Sequence, residues 1–425
     1  MGDFLQNGLV TTLHNLRNRS VKDLEAQLTE FSKTRPVSLI IPCLYSELDG
    51  PALPRILDEL ENVPYLNEII IGLDRANREE FYGAVEYFSR LPQHHRLLWN
   101  DGPRLRAMEN LLIEKKIAPK EMGKGRNAWY CFGYFNASGK SEAVALHDAD
   151  ILTYSRNLLA RLLYPVVDPN FNYKFCKGYY YRADDIKLNG RVARLLVTPL
   201  LRTLKKFFGS DPFVEYLDSF RYPLAGEFSM RADVTKTMRI PSDWGLEIGI
   251  LSEVHRNNSI NRICQVDIAD RYDHKHQPLS ETNPEAGLSK MSIEISKAIF
   301  GKMASTGTVF SHGIFRSIKA TYYRIALDFV EQYHSDAVLN GLTLDRHMEE
   351  QIVDLFAQNV YRAGEQYLEK PMQTAFIPSW KRVMSAIPNF MEQLYDAVEL
   401  DYKEALEAIE NTNSAEAPNI NINQG

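Results

Sequence analysis

Hydrophobic positions in the first 150 residues fall into short continuous runs separated by stretches with helical spacing. The runs are Val37-Ser38-Leu39-Ile40-Ile41-Pro42, Glu68-Ile69-Ile70-Ile71-Gly72-Leu73-Asp74, Arg96-Leu97-Leu98-Trp99 and Ala143-Val144-Ala145-Leu146. Runs that are apolar throughout, rather than alternating, mark strands buried on both faces of a parallel sheet. Between them Leu53, Ile56, Leu57 and Leu60 recur at helical spacing, and Gly123-Lys124-Gly125-Arg126-Asn127 opens a helix through Ala128, Trp129, Phe132 and Phe135. Strand and helix in this alternation predict a doubly wound α/β sheet. Ahead of it, residues 1–34 read as a helical segment centred on residues 21–28, with Ser20 placed to cap it and Asp23 at the capping-box position. Beyond residue 150 the pattern changes. Residues 173–182 have strand propensity, residues 190–196 are basic and helical, and Gln265-Val266-Asp267-Ile268-Ala269 is a further strand. From 286 to 410 the chain reads as helical, with Met348, Ile352, Leu355, Phe356 and Val360 on one face, a packing or dimerisation region without a catalytic pattern. Residues 411–425 are polar and expected to be disordered.

In open α/β sheets ligands bind beyond the carboxyl ends of the strands. Asp74, the loop after Pro42, and His147-Asp148-Ala149-Asp150 all fall at that edge. Two carboxylates one residue apart can hold a hard cation that grips a diphosphate; a solvated acidic turn has the same sequence. Gly123-Lys124-Gly125 lacks the spacing of a P-loop, but a lysine at a helix start can meet a phosphate. Glu227 after Gly226, and Glu247 within Gly245-Leu246-Glu247-Ile248-Gly249, can accept hydrogen bonds from a sugar, or serve only as helix-start charges. Asp273-His274-Lys275-His276 has no cysteine or second histidine pair to suggest zinc. One imidazole joining carboxylates around Mn²⁺ or Mg²⁺ is one reading of it, a surface turn the other.

The formal charge of −6 excludes a broad nucleic-acid surface. It also sets off one basic cluster, Arg182, Lys187, Arg191, Arg194, Arg202, Lys205 and Lys206, opposed only by Asp184 and Asp185. Such a cluster is a phosphate or carboxylate site, or a solvated helix face. Cys43, Cys131, Cys176 and Cys264 lie far apart, as buried thiols of a reducing compartment do. The N-terminus lacks a basic-then-apolar leader and no run approaches the roughly 20 apolar residues of a membrane span. A cytoplasmic protein with neither membrane nor nucleic-acid partner is expected.

Taken in order, Pro42-x-Leu44, Leu73-Asp74, Gly123-Lys124-Gly125, Asp148-x-Asp150, Lys177-x-Tyr179-Tyr180-x-Arg182, Gly190-Arg191-Val192, Pro223-Leu224-x-Gly226-Glu227, Gly245-x-Glu247-Ile248-Gly249 and a histidine ahead of Pro278-Leu279 resemble the retaining glucosyl-3-phosphoglycerate synthases. The resemblance runs from about residue 37 to 299. It implies a GT-A, Rossmann-like nucleotide-sugar-binding domain over 35–285, a helical C-terminal extension and a homodimer. The implied reaction moves glucose from a nucleoside diphosphate, usually UDP-glucose, to the 2-hydroxyl of 3-phosphoglycerate. It retains configuration and needs Mg²⁺ or Mn²⁺. Carried over residue by residue, Pro42, Leu44, Asp74 and Lys124 hold the nucleotide. Glu47 closes a Tyr45-Ser46-Glu47 that departs from the family's Asn-Glu-Glu. Asp148 and Ala149 touch the donor ribose, Asp150 and His274 bind the metal, Gly190 and Arg191 meet the acceptor, and Glu247 lies near the sugar and acceptor hydroxyls. Ala193 replaces a threonine, and the C-terminal third is longer than the shorter members need. Alternatives are a mannose donor, a glycerate acceptor, a sugar nucleotidyltransferase or a non-catalytic nucleotide-sugar binder. The nucleotidyltransferase should carry a glycine-rich stretch after the first strand, where this chain has Pro42-Cys43-Leu44-Tyr45-Ser46.

Overall fold

The computed structural model describes residues 6, 8–17, 19–119, 121–242, 245–273, 287–371 and 376–416, with side chains to 412. The strands are β1 (Thr11–Leu13), β2 (Val37–Leu44), β3 (Leu66–Asp74), β4 (His95–Trp99), β5 (Ala143–Leu146), β6 (Phe175–Tyr180), β7 (Phe228–Arg231), β8 (Ile240–Pro241), β9 (Ile263–Ala269) and β10 (Phe376–Ile377). Eight of them form one sheet in the order β1-β9-β6-β7-β5-β2-β3-β4, and β8 pairs with β10 in a small ribbon. Within the large sheet only β7 runs against its neighbours. The four apolar runs are therefore parallel strands, as expected, and successive residues face opposite layers. Ile40 and Ile70 join one core while Leu39, Ile41, Ile69 and Ile71 join the other. One layer holds the helices Val21–Ser32, Ala52–Leu60, Arg78–Phe88 and Arg156–Val167, and the other holds Lys124–Ser138 with most of the C-terminal helices.

Two features depart from the sequence reading. The N-terminal segment is not wholly helical, because β1 extends the sheet beside β9, with Leu13 opposite Val266. Ser20 does cap the helix that follows, accepting from the Asp23 N–H. At the other end the final helix, Phe390–Glu416, continues past 411, so residues 411–416 are helix rather than tail. Residues 417–425 lie outside the described residues.

The C-terminal helices share a continuous core with the sheet. Trp380 stacks on Trp129 of the helix Lys124–Ser138 with ring centroids 4.0 Å apart. The Trp129 indole N–H donates to Pro378 O at 2.8 Å, and the Trp380 indole N–H returns a bond to Trp129 O at 3.1 Å. Among the described residues no helix is long and apolar enough to cross a membrane. Trp380→Ala removes the buried half of this stack and should destabilise the protein by about 3–5 kcal/mol. Urea unfolding followed by circular dichroism measures this, and an unchanged midpoint would show that the C-terminal region docks by other contacts.

Candidate active site

Strand register decides what meets at the carboxyl edge. Leu44 lies opposite Asp74, whereas β5 stops where Leu146 faces Ile40. Residues 147–150 thus leave the sheet alongside the last residues of β2, with His147 N donating to Ile40 O at 3.3 Å, Ala149 buried and Asp150 acting on Cys43. Burial first, and then the carboxylates of Glu47, Asp74 and Asp150, push up the Cys43 thiol between them. Those three acids therefore surround the end of β2. Asp74 is buried and accepts from Asn100 Nδ2 at 2.8 Å.

The helix Lys124–Ser138 begins against β8. A Cβ on Gly125 would stand 2.0 Å from the Pro241 carbonyl oxygen, so only glycine lets the helix start come this close. The approach sets Lys124 beside the first turn of the helix Leu246–Asn257, where its ammonium lies 3.3 Å from Glu247 Oε1. On the other side Lys124 Nζ is 2.6 Å from Asp148 Oδ1. Burial would lower the lysine pKa, but Asp148 and then Glu247 outweigh it and hold the ammonium above its usual range.

Asp148 rests on Gly226, where a Cβ would meet Asp148 Oδ2 at 2.6 Å. The next residue, Glu227, is fully buried at the start of the antiparallel β7 and accepts a hydrogen bond from the Tyr272 hydroxyl. Burial and then Asp148 push its carboxyl up. Asp150 is pushed up to about 7, by burial first and then by Asp148, with Lys124 opposing and Glu47 and Glu227 adding to the effect. The neighbouring His147 is buried, which lowers its pKa to about 4 and keeps the ring neutral.

His274 lies outside the described residues. The chain just before it is anchored beside Asp150, since Leu152 N donates to Asp273 O at 2.9 Å and Asp273 N donates to Thr153 Oγ1 at 3.1 Å. Among the described residues no group of three or more His, Cys, Asp or Glu side chains is placed to hold a metal ion.

The basic cluster divides. Arg202 and Lys205 pair with Asp218 at 3.3 and 2.9 Å, and Lys205 also with Glu215 at 2.7 Å, while Lys206 is exposed. These three serve the packing of two helices or the surface. Gly190 sits in the left-handed region, with φ of +76°, and leads through Arg191 into a π-helical turn, Val192–Val197. Arg191 is about a third exposed, with its Nε 3.6 Å from Glu349 Oε1. A tyrosine wall links this side to the acids. Tyr180 stacks on Tyr272 at 3.7 Å and lies 5.1 Å from Tyr222, whose hydroxyl faces Gly190.

Two contributors escaped the sequence reading as site residues. Lys177, fully buried in β6, donates to Ala225 O and so pins the turn that carries Gly226 and Glu227. Burial lowers its pKa to about 8, against the raising effect of Glu247 and Glu227. A lysine inside an aromatic strand was the available signal. Glu349 gave none, because it sits in a helix of ordinary amphipathic pattern.

No family model matches the chain. A curated relative, glucosyl-3-phosphoglycerate synthase of Persephonella marina, is 44% identical over 401 residues, 94% of this chain and 99% of its own length. The chain belongs to the glucosyl-3-phosphoglycerate synthases. It is thus a hexosyltransferase, and the resemblance read from its motifs holds well past residue 299. The enzyme of the same name from Methanococcoides burtonii is 40% identical, over 95% of this chain and 99% of its own. Both alignments take in the C-terminal helices, so that region is common to these synthases. Among solved structures, the mannosyl-3-phosphoglycerate synthase of Rubrobacter xylanophilus matches with a TM-score of 0.51 and 20% identity, covering 71% of this chain and 83% of that one. A glucosyl-3-phosphoglycerate synthase of Mycobacterium tuberculosis, in complex with Mn²⁺, UDP-glucose and phosphoglyceric acid, matches with a TM-score of 0.50 and 19% identity, covering 69% and 88%. These likenesses carry the GT-A-type fold.

A raised carboxyl pKa favours the folded state below the unfolded value, and that advantage is lost as pH rises through the folded pKa. With Asp150 at about 7, Asp150→Asn should therefore stabilise the protein in chelator-treated buffer at pH 8, and by less at pH 5. Denaturation midpoints at the two pH values test this; an equal shift at both would mean that Asp150 is not crowded by its neighbours.

Proposed function

We propose that this synthase transfers glucose from UDP-glucose to the 2-hydroxyl of 3-phosphoglycerate with retention of configuration, using one Mg²⁺ or Mn²⁺. The observation that carries the reading is the Lys124 bridge between Asp148 and Glu247, beside an Asp150 carboxyl pushed up to about 7. Such a concentration of negative charge fits a hard divalent cation, and oxygen donors with one imidazole suit Mn²⁺ as well as Mg²⁺. Asp150 and His274 would hold it, a pairing supported by the Leu152–Asp273 hydrogen bond. When bound, the cation supplies positive charge against the departing diphosphate. The names of the two curated relatives support the same donor class and acceptor.

On this reading Pro42, Leu44, Glu47 and Asp74 line the nucleotide site at the ends of β2 and β3, and Asp148 and Ala149 face the ribose. Lys124 adds charge where the leaving group becomes more negative. Glu247 accepts from sugar or acceptor hydroxyls. Arg191, approached over Gly190, takes the acceptor's phosphate or carboxylate. Glu227 is fully buried and already accepts a hydrogen bond from the Tyr272 hydroxyl, which disfavours it as a nucleophile toward the sugar carbon. Retention then follows from same-face attack. The glycosidic bond to phosphate breaks, the acceptor oxygen bonds to the same face of the sugar carbon, and the acceptor's proton passes to the departing phosphate oxygen.

Release of nucleotide across a matrix of UDP-glucose, GDP-glucose and GDP-mannose with 3-phosphoglycerate or glycerate should be fastest for UDP-glucose with 3-phosphoglycerate. It should stop with chelator and return with Mn²⁺ or Mg²⁺. Asp148→Ala and His274→Ala should each lower kcat/KM at least about 100-fold; full turnover in either variant rules the site out.

A further inference from the structure

The longest part of the chain without an assigned role is the helical region after residue 286, and it closes directly on the acceptor side. Arg194, one turn beyond Arg191, is 6% exposed and spends its whole guanidinium on protein. Its Nε donates to Asn189 O at 2.8 Å, and its two terminal nitrogens fork onto the two oxygens of Glu349 at 2.8 Å each. The Tyr333 ring lies 4.8 Å from the same guanidinium. Glu349, 2% exposed on the helix Arg346–Glu369, also faces Arg191, whose Nε stands 3.6 Å from Oε1, the oxygen that already accepts from Arg194 Nη2. Just ahead of that helix, Thr343 N donates to Ile186 O at 2.6 Å, tying the loop before Gly190 to the same region.

These contacts differ in kind. A two-point fork between buried charges fixes both partners in one geometry. The Arg191 contact is longer than a hydrogen bond and its side chain is about a third exposed, so it is restrained in direction and still able to reach a ligand. One carboxylate facing two guanidiniums leaves the trio with a single net positive charge, enough to attract an anion and too little to hold a large basic patch open.

We propose that Glu349 is a positioning residue of the acceptor site. Anchored by Arg194, it aims Arg191 at the anionic group of the acceptor, and the C-terminal helical region is thereby a working part of acceptor recognition. This rests on the reading of Arg191 as the acceptor's anion-binding residue.

The test is a double-mutant cycle in the full-length enzyme with UDP-glucose and 3-phosphoglycerate. Arg191→Gln and Glu349→Gln should each raise the acceptor KM about tenfold, the scale of one charge-assisted contact, and leave the donor KM within about twofold. In the Arg191→Gln background, Glu349→Gln should add nothing, because it acts through Arg191. Additive effects, or donor and acceptor KM rising together, overturn the positioning role and leave Glu349 a packing residue. If Arg191→Gln raises the acceptor KM while Glu349→Gln does not, the positioning role alone fails. If Arg191→Gln leaves the acceptor KM unchanged, the acceptor reading itself fails. Should Glu349→Gln not fold, Glu349→Asp, which keeps the charge and withdraws it by one methylene, enters the same cycle with the same outcomes.

Discussion

The site depends on one lysine that joins acids which would otherwise repel one another. Glu247, Glu227 and the Asp148–Asp150 pair come from separate segments and meet at one edge of the sheet, where burial makes the Asp150 and Glu227 charges costly. Lys124, held above its usual pKa by Asp148 and Glu247, is the cation that bridges two of them. It does not suffice for all of them, and the deficit shows as the high Asp150 and Glu227 carboxyls. That crowding of carboxylates is built into the protein by packing, and on the proposed reading it is what a divalent cation would relieve.

Close backbone approach is the means by which the acids converge. Gly125 lets a helix start press on the Pro241 carbonyl, and Gly226 lets a turn lie against Asp148. The turn is held from below by the buried Lys177, whose pKa burial lowers, and from the side by the Tyr272 hydroxyl on Glu227. Through Tyr180 and Tyr222 the same packing continues to Gly190, so the acids around Lys124 and the arginines after Gly190 are set by one connected wall. The C-terminal helices complete that wall. They dock on the sheet through Trp129 and Trp380 and reach the segment around Gly190 through Thr343 and Glu349.

Much of this architecture was legible in the residues, and for a physical reason. The strands β2, β3, β4 and β5 are largely buried on both faces, so most of their side chains must be apolar, and such runs are visible locally. Asp74, Asp148 and Asp150 announce themselves as charges at the ends of those runs, and Gly123-Lys124-Gly125 as a charge at a helix start. The opposite direction of β7 was not visible, because four residues carry no sign of direction; nor was β1, three residues whose pairing is set by β9 more than 250 positions away. Arg202 and Lys205 looked like ligand-binding charges and proved to be partners of Asp218, since sequence shows a charge but not its neighbour across a helix pair.

By itself, then, the sequence determined the parallel core, the edge at which chemistry gathers, and the family, because each of these rests on local pattern or on ordered motifs. Only the tertiary structure decided that Lys124 joins Asp148 to Glu247, that Asp150 is crowded enough to stand near 7, and that a helix read as mere packing delivers Glu349 to Arg191. Those are contacts between segments distant along the chain, and their distances are settled by strand register, glycine clearances and the packing of helices on the sheet.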